Sequence, residues 1–325
     1  MSESAEPHIP VELRPRPADV DYDLNRALDA VVSLRARIPE DAFTASILGT
    51  ERAGHGVVIN ERGLVVTIGY LITEASEIWL IANNGRAIAG DVVGYDYETG
   101  FGLIQALGAL DTPALTLGST RDLPLHEEVV VAGHGGRSHA LKARVAAKRE
   151  FAGYWEYVLD EALFTTPPHP NWGGTAVIGP DGRLCAIGSL FIDQILPELA
   201  PLEGNMNVPI DLLLPIMQEL MTYGRTLKPA RPWLGMFVSE AKNRLVVAGV
   251  YNDAPAAEAR LRAGDVVLAV AGKRVSELAT MFRAVWAYGT AGSEIPLTVQ
   301  RDGKTFELNI QSVDRRDFWR APDLH

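Results

Sequence analysis

Between Asp21 and Arg37 the apolar positions recur at helical intervals. Leu24, Leu28 and Val31 share one face, in phase with Arg35 and with Leu34 close by. Asp21 and Asp23 open the stretch, Arg35 and Arg37 close it, and Pro39 follows, an order that suits a helix dipole. The pattern predicts one amphipathic helix packed on the domain that follows it. From about Ala45 to Ile195 the period becomes that of strands. Val57-Val58-Ile59, Leu64-Val65-Val66-Thr67, Ile78-Trp79-Leu80-Ile81 and Val129-Val130-Val131 are short and rich in β-branched residues. Asn60 to Gly63, Asn84-Gly85 and Asp181-Gly182 punctuate them as turns. Many short strands at even spacing predict a sandwich or barrel rather than a parallel sheet.

A helix is predicted over Ile210 to Tyr223, with Leu213, Met217 and Leu220 on one face and Gly224 as its stop. Arg225 to Pro232, rich in Lys, Arg and Pro, reads as a linker. Beyond it, strands surround one further helix, with Ser276 as its expected cap and Leu278, Met281, Phe282 and Val285 on its apolar face. Asp302-Gly303 closes a hairpin of Ile295–Val299 with Thr305–Ile310.

Composition narrows the function. The chain has 325 residues, 47% hydrophobic and 22% charged, with a formal net charge of -11. The length suits two ordinary domains, and the composition is soluble and globular. The acidic balance disfavours a phosphate backbone as partner, so nucleic acid is not expected. No apolar run approaches the roughly 20 residues of a bilayer span. The polar start has no apolar core of a secretory signal, and there is a single cysteine, Cys185, within the apolar run Leu184–Ile187. Both features point to the cytoplasm, with Cys185 as a buried small hydrophobe.

A family resemblance rests on ordered motifs. Gly54-His55-Gly56-Val57-Val58-Ile59 followed by Gly63-Leu64-Val65-Val66-Thr67 resembles the opening hairpin of the HtrA/Deg proteases. Asp96-Tyr97-Glu98-Thr99-Gly100-Phe101-Gly102 and Pro170-Asn171-Trp172-Gly173-Gly174 resemble two further landmarks of that family. Asn207–Asp211, Trp233-Leu234-Gly235-Met236, Ala254–Ala257 and Ala263–Val267 are similar to the segments that lead into and build its PDZ domain. The resemblance covers about residues 50 to 312. It implies a mainly β protein: a chymotrypsin/trypsin-like double β-barrel followed by a PDZ domain, with an N-terminal helix. The implied boundaries are 1–44 for leader and helix, 45–224 for the barrels and closing helix, 225–313 for the PDZ domain and 314–325 for a tail.

The same resemblance implies an altered catalytic apparatus. Tyr70 stands where the family carries its general-base histidine, Gly100 where it carries the orienting aspartate, and Trp172 where it carries the nucleophilic serine. Pro170 stands where an oxyanion-hole amide is expected and has no N–H. A phenol with a reference pKa near 10 is a poor base at neutral pH, and an indole offers only an N–H donor. Acyl transfer by serine needs hydroxyl, base, orienting carboxylate and oxyanion donors together. The expectation is therefore a pseudoprotease and not an enzyme. The alternative is a divergent hydrolase built on Thr165, Thr166 or Thr175, His55 or His169, and Asp96 or Glu98, with Thr175–His169 as one shifted pair. His126, His134 and His139 lack metal-site spacing, and no metal or cofactor is expected.

For the PDZ domain the resemblance implies a peptide C-terminus added as a strand, its carboxylate received by backbone amides of Trp233-Leu234-Gly235-Met236. Phe237 begins the adjoining strand, and Met281, Phe282 and Val285 form the helical wall, which favours an apolar terminal residue. Trp172 is read as a plug in the vacated cleft or as a partner's anchor. Tyr154-Trp155-Glu156-Tyr157 reads as packing, or as contact residues where exposed. The expected function is an adaptor, scaffold or accessory subunit binding protein or peptide C-termini, in a larger complex or a homo-oligomer. A chaperone-type holdase is the remaining alternative.

Overall fold

The computed structural model describes residues 9–196, 200–241 and 244–319. The first part of the predicted leader and the end of the predicted tail lie outside them. The predicted helix over Asp21–Arg37 is corrected. A helix, α1, covers only Leu24–Asp29, capped by the Asp23 carboxylate, which accepts from the Arg26 N–H at 3.0 Å. The chain then enters strand β1 (Val31–Arg37). Val31 and Val32 are stiff at χ1 and suit a pleated surface better than a helix. Leu34 and Ala36 point inward while Arg35 and Arg37 are exposed, a period of two.

After a helical turn α2 (Ala45–Leu48) come β2 (Glu51–Val58), β3 (Leu64–Ile68), β4 (Glu77–Ile81), β5 (Ala87–Tyr95) and β6 (Phe101–Ala106). They close a barrel in the order β1-β2-β3-β6-β5-β4. Closure is why β1 is a strand: it pairs with β2 on one side and β4 on the other, satisfying both edges. Leu34, Val57, Val65, Leu80, Phe101 and Ile104 are wholly buried inside.

A second barrel is built from β7 (Glu128–Ala132), β8 (Ala140–Gly153), β9 (Tyr157–Thr166), β10 (Ala176–Ile178), β11 (Leu184–Ile192) and β12 (Gly204–Pro209). Its order is β10-β11-β12-β9-β8-β7, and Val131, Leu141, Val145, Leu163, Val177 and Cys185 fill it. Burial pushes the Cys185 thiol up to about 11, which keeps it protonated and unreactive. The predicted helix over Ile210–Tyr223 is split into a 3-10 turn, Ile210–Leu212, and α3 (Met217–Tyr223), which ends at Gly224 with φ 70°.

The remaining elements are β13 (Met236–Ala241), β14 (Arg244–Val250), α4 (Pro255–Glu258), β15 (Val266–Val270), β16 (Lys273–Arg274), α5 (Leu278–Tyr288), β17 (Glu294–Arg301) and β18 (Lys304–Gln311). The sheet order is β13-β14-β15-β17-β18, with β16 on β15. Ser276 does not cap α5; the Glu240 carboxylate accepts from the Leu278 N–H at 3.0 Å instead. Asp302 and Gly303 both take positive φ, 49° and 75°, as a tight two-residue hairpin turn requires. Among the described residues no helix is long and apolar enough to cross a membrane.

The chain forms two compact units. One contains both barrels through Arg149 and Glu161–Thr226; the other contains Glu150–Asp160 with Leu227–Trp319. The boundaries read from the sequence assign Glu150–Asp160 to the barrels; the structure groups this end of the β8–β9 hairpin with the second unit.

Candidate functional site

The first candidate site lies between the barrels. β3 ends at Ile68, and a 3-10 turn over Gly69–Leu71 follows, placed by the Gly69 N–H donating to the Gly100 carbonyl at 2.7 Å. Gly100 has φ 87° and closes a turn in which the Asp96 carboxylate accepts from the Thr99 N–H at 2.8 Å. Tyr70 therefore stands beside Gly100. From the other barrel, the Gly173 carbonyl accepts from the His55 N–H at 2.9 Å. Gly174, at φ 80°, lies so close that an added Cβ would fall 1.9 Å from the His55 carbonyl oxygen. Only glycine fits there.

These contacts bring Tyr70, Gly100 and Trp172 together. The Tyr70 hydroxyl donates to the Ser189 carbonyl at 2.9 Å. It is also hydrogen-bonded to the Trp172 side chain, whose indole N–H is a donor only. Burial drives the Tyr70 phenol well above its ordinary range, against the pull of that bond. Trp172 is half-buried, its ring 5.8 Å from that of Phe191. The cleft is thus bridged by a phenol and an indole bonded to each other and to the backbone. Pro170 has no amide to contribute.

The shifted pair Thr175–His169 is not formed. The Thr175 hydroxyl donates to the Trp172 carbonyl at 3.0 Å. His169 Nδ1 accepts from the Asn171 N–H at 3.2 Å, and its Nε2 lies 3.1 Å from the His139 carbonyl. Both ring nitrogens are engaged with the backbone, and burial holds this imidazole below its ordinary pKa. His55 Nδ1 accepts from the His134 N–H at 3.1 Å, while its Nε2 is enclosed with no hydrogen-bond partner among the described residues. Burial, with His169, His134 and His139 nearby, pushes His55 down to about 3, so it is neutral.

The second candidate site is the loop Trp233–Met236. Gly235 takes φ 75°, and an added Cβ would lie 2.4 Å from Ala254 Cβ. Its carbonyl accepts from the Tyr251 N–H at 2.9 Å, and that of Leu234 from the Ala256 N–H at 2.8 Å. The loop amides are thereby turned to one side. Leu234 N–H, Gly235 N–H and Met236 N–H all donate to the Glu156 carboxylate, at 3.1, 2.8 and 3.1 Å. Trp233 is excluded from this cradle: its amide donates to the Val313 carbonyl at 3.0 Å, and its ring packs on Tyr251 and Phe318. Phe237 packs against Tyr154 and Tyr251, and Met281, Phe282 and Val285 are buried in the unit's apolar cluster.

Comparisons with known proteins fit this geometry. A trypsin-like peptidase domain model matches residues 54–187, and a PDZ domain model matches residues 232–311. The chain thus contains a trypsin-like peptidase domain followed by a PDZ domain. It is 26% identical over 81% of its length to a probable periplasmic serine endoprotease, DegP-like, of Halomonas elongata. It is 27% identical over 91% of its length to serine endoprotease DegS of Salmonella typhimurium, covering 86% of that protein. The chain spans 57% of the length of the DegP-like relatives from Halomonas elongata and Pseudomonas fluorescens. Among solved structures it superposes on the HtrA-type protease AlgW with tripeptide at a TM-score of 0.51, with 21% identity, covering 89% of this chain and 95% of that one. The serine endoprotease from Yersinia pestis gives 0.52 and 22%, covering 91% and 99%.

One expectation is corrected by these comparisons. The substitutions at the triad positions imply a chain that is not an enzyme; the relatives it matches are named serine endoproteases, and that expectation does not stand against them. The physical reason is one of scope: positions 70, 100 and 172 speak only for chemistry routed through themselves, not for the whole domain. Sequence reasoning also missed Glu156 as a site residue. Its one signal was a lone carboxylate inside the aromatic run Tyr154–Tyr157.

Proposed function

We propose that this protein captures protein C-termini through its PDZ domain, acting as an adaptor or accessory subunit. The observation that carries the reading is the convergence of the Leu234, Gly235 and Met236 amides on a carboxylate. Such a cradle suits a terminal carboxylate, and the strand and helix beside it suit the apolar residues before it. In this reading Tyr70, Gly100 and Trp172 stand at the positions matched to the triad, and the bridged cleft between the barrels is a supporting surface. The test is an array of labelled C-terminal peptides offered to the full chain, each with a free and an amidated terminus. Binding that requires the carboxylate and favours an apolar last residue supports the proposal. Indifference to amidation overturns it.

A second reading, peptide hydrolysis, is favoured by the names of the relatives. Its nucleophile is then a residue other than Trp172. Cleavage of a denatured protein by the pure chain, with a fluorophosphonate label mapped by mass spectrometry, would identify that residue; no cleavage and no label would count against this reading.

A further inference from the structure

Glu156 is only 7% exposed, and a carboxylate that far from water needs donors. Those it finds, the amides of Leu234, Gly235 and Met236, form the loop to which a PDZ ligand's terminal carboxylate would go. The neighbouring residues complete the likeness to a bound peptide. The Tyr154 carbonyl accepts from the Val238 N–H at 3.0 Å, a main-chain bond to β13 of the kind an added strand makes. Val158 is buried in the apolar cluster that holds Met281, Phe282 and Val285, and Ala152 packs against that cluster. Arg283 of α5 pairs with both Glu150 and Asp160 at the base of the same hairpin. One segment therefore touches the carboxylate loop, the strand and the helix.

We infer that the hairpin over Glu150–Asp160 is an internal ligand of the PDZ groove, with the Glu156 carboxylate in the place of a peptide's C-terminus, so that an external C-terminus binds only when the hairpin leaves. The inference rests on the PDZ reading proposed above and adds its regulation. Filling space alone would be met by an apolar side chain; here a carboxylate is buried, on a residue with φ 63°, where glycine would sit with less strain. The competitor is tethered, so its local concentration is high, and external affinity falls by the fraction of chains whose groove is open.

The test compares the intact chain with Glu156→Ala and with the isosteric Glu156→Gln, each checked for folding by thermal melting. Hydrogen exchange at the Leu234, Gly235 and Met236 amides reports the occupant directly. Fluorescence anisotropy is read with fluorescein-labelled decapeptides ending in Val, Leu, Ile or Phe, as free carboxylates and as amides. The expected result is exchange at these amides at least about tenfold faster in Glu156→Ala, with free-carboxylate peptides binding that variant at least about tenfold tighter than the intact chain. Glu156→Gln is expected to fall between. Unchanged exchange together with unchanged peptide affinity overturns the inference and leaves peptide capture standing. Faster exchange with no peptide bound by either variant supports the hairpin's seat and overturns peptide capture.

Discussion

Single residues carry the sharpest physical commitments in this molecule. His55 is neutral in the folded barrel, held down to about 3 by burial and by three neighbouring histidines, whereas an unfolded histidine titrates near 6.5. Between those values the unfolded chain binds the extra proton, so stability falls as pH drops from about 6.5 toward 3. Urea midpoints measured across that range should decline more steeply for the intact chain than for His55→Asn, which keeps an acceptor for the His134 N–H. Glu156 has the opposite sign. Burial raises it from 4.5 to about 7, opposed by the cradle amides and by Arg315, with the Tyr251 phenol, itself held above its ordinary range by burial, beside it. Seated, it keeps its proton longer than when released, so the seat weakens as pH rises from 4.5 to about 7. Amide exchange at Leu234–Met236, corrected for its intrinsic pH dependence, should accelerate over that window, and Glu156→Gln should flatten the profile. At the cleft, Trp172→Ala removes a half-buried ring and its bond to Tyr70, and should cost about 2 kcal/mol in chemical denaturation.

Elements show where local preference yields to closure. Leu24, Leu28 and Val31 do lie one turn apart, yet only Leu24–Asp29 is helical. The first barrel needs a strand between β2 and β4, and Val31–Arg37 supplies one whose inward side chains are Val32, Leu34 and Ala36. A period of two is present in Val32, Leu34 and Ala36, but the overlapping helical pattern masks it. In α5 the apolar face is legible from Leu278, Met281, Phe282 and Val285; what that face meets is not. Phe282 is fully buried, so Phe282→Ala should cost about 3–5 kcal/mol of folding stability, seen as an earlier denaturant midpoint before any effect on peptide binding.

For the whole molecule, each of the two units has an apolar core of its own. Units with separate cores can unfold as separate transitions. Differential scanning calorimetry should resolve two components, with Phe282→Ala lowering one. Leu34→Ala, a deletion in the first barrel of about 2–5 kcal/mol, should lower the other. A single component shifted equally by both variants would mean that the units unfold together.

Whatever depends on neighbours along the chain, or on the order of motifs, can be read from the amino-acid order alone. The β-branched runs, the Asp302-Gly303 turn, the glycine that ends α3, and the ordered landmarks from Gly54 to Val267 are enough for two barrels and a PDZ domain. They also mark Tyr70, Gly100 and Trp172 as a set, which the fold brings together through Gly69–Gly100 and the Tyr70–Trp172 contact. Contacts between distant segments set the rest. Whether Val31 continues a helix depends on strands reached later in the chain. Whether His169 and Thr175 form a pair depends on carbonyls of residues 139 and 172 that take their hydrogen bonds first. The seat of Glu156 joins atoms 78 to 80 residues apart, so no local pattern could announce it. A buried carboxylate is recognisable only once the amides that satisfy it are in place.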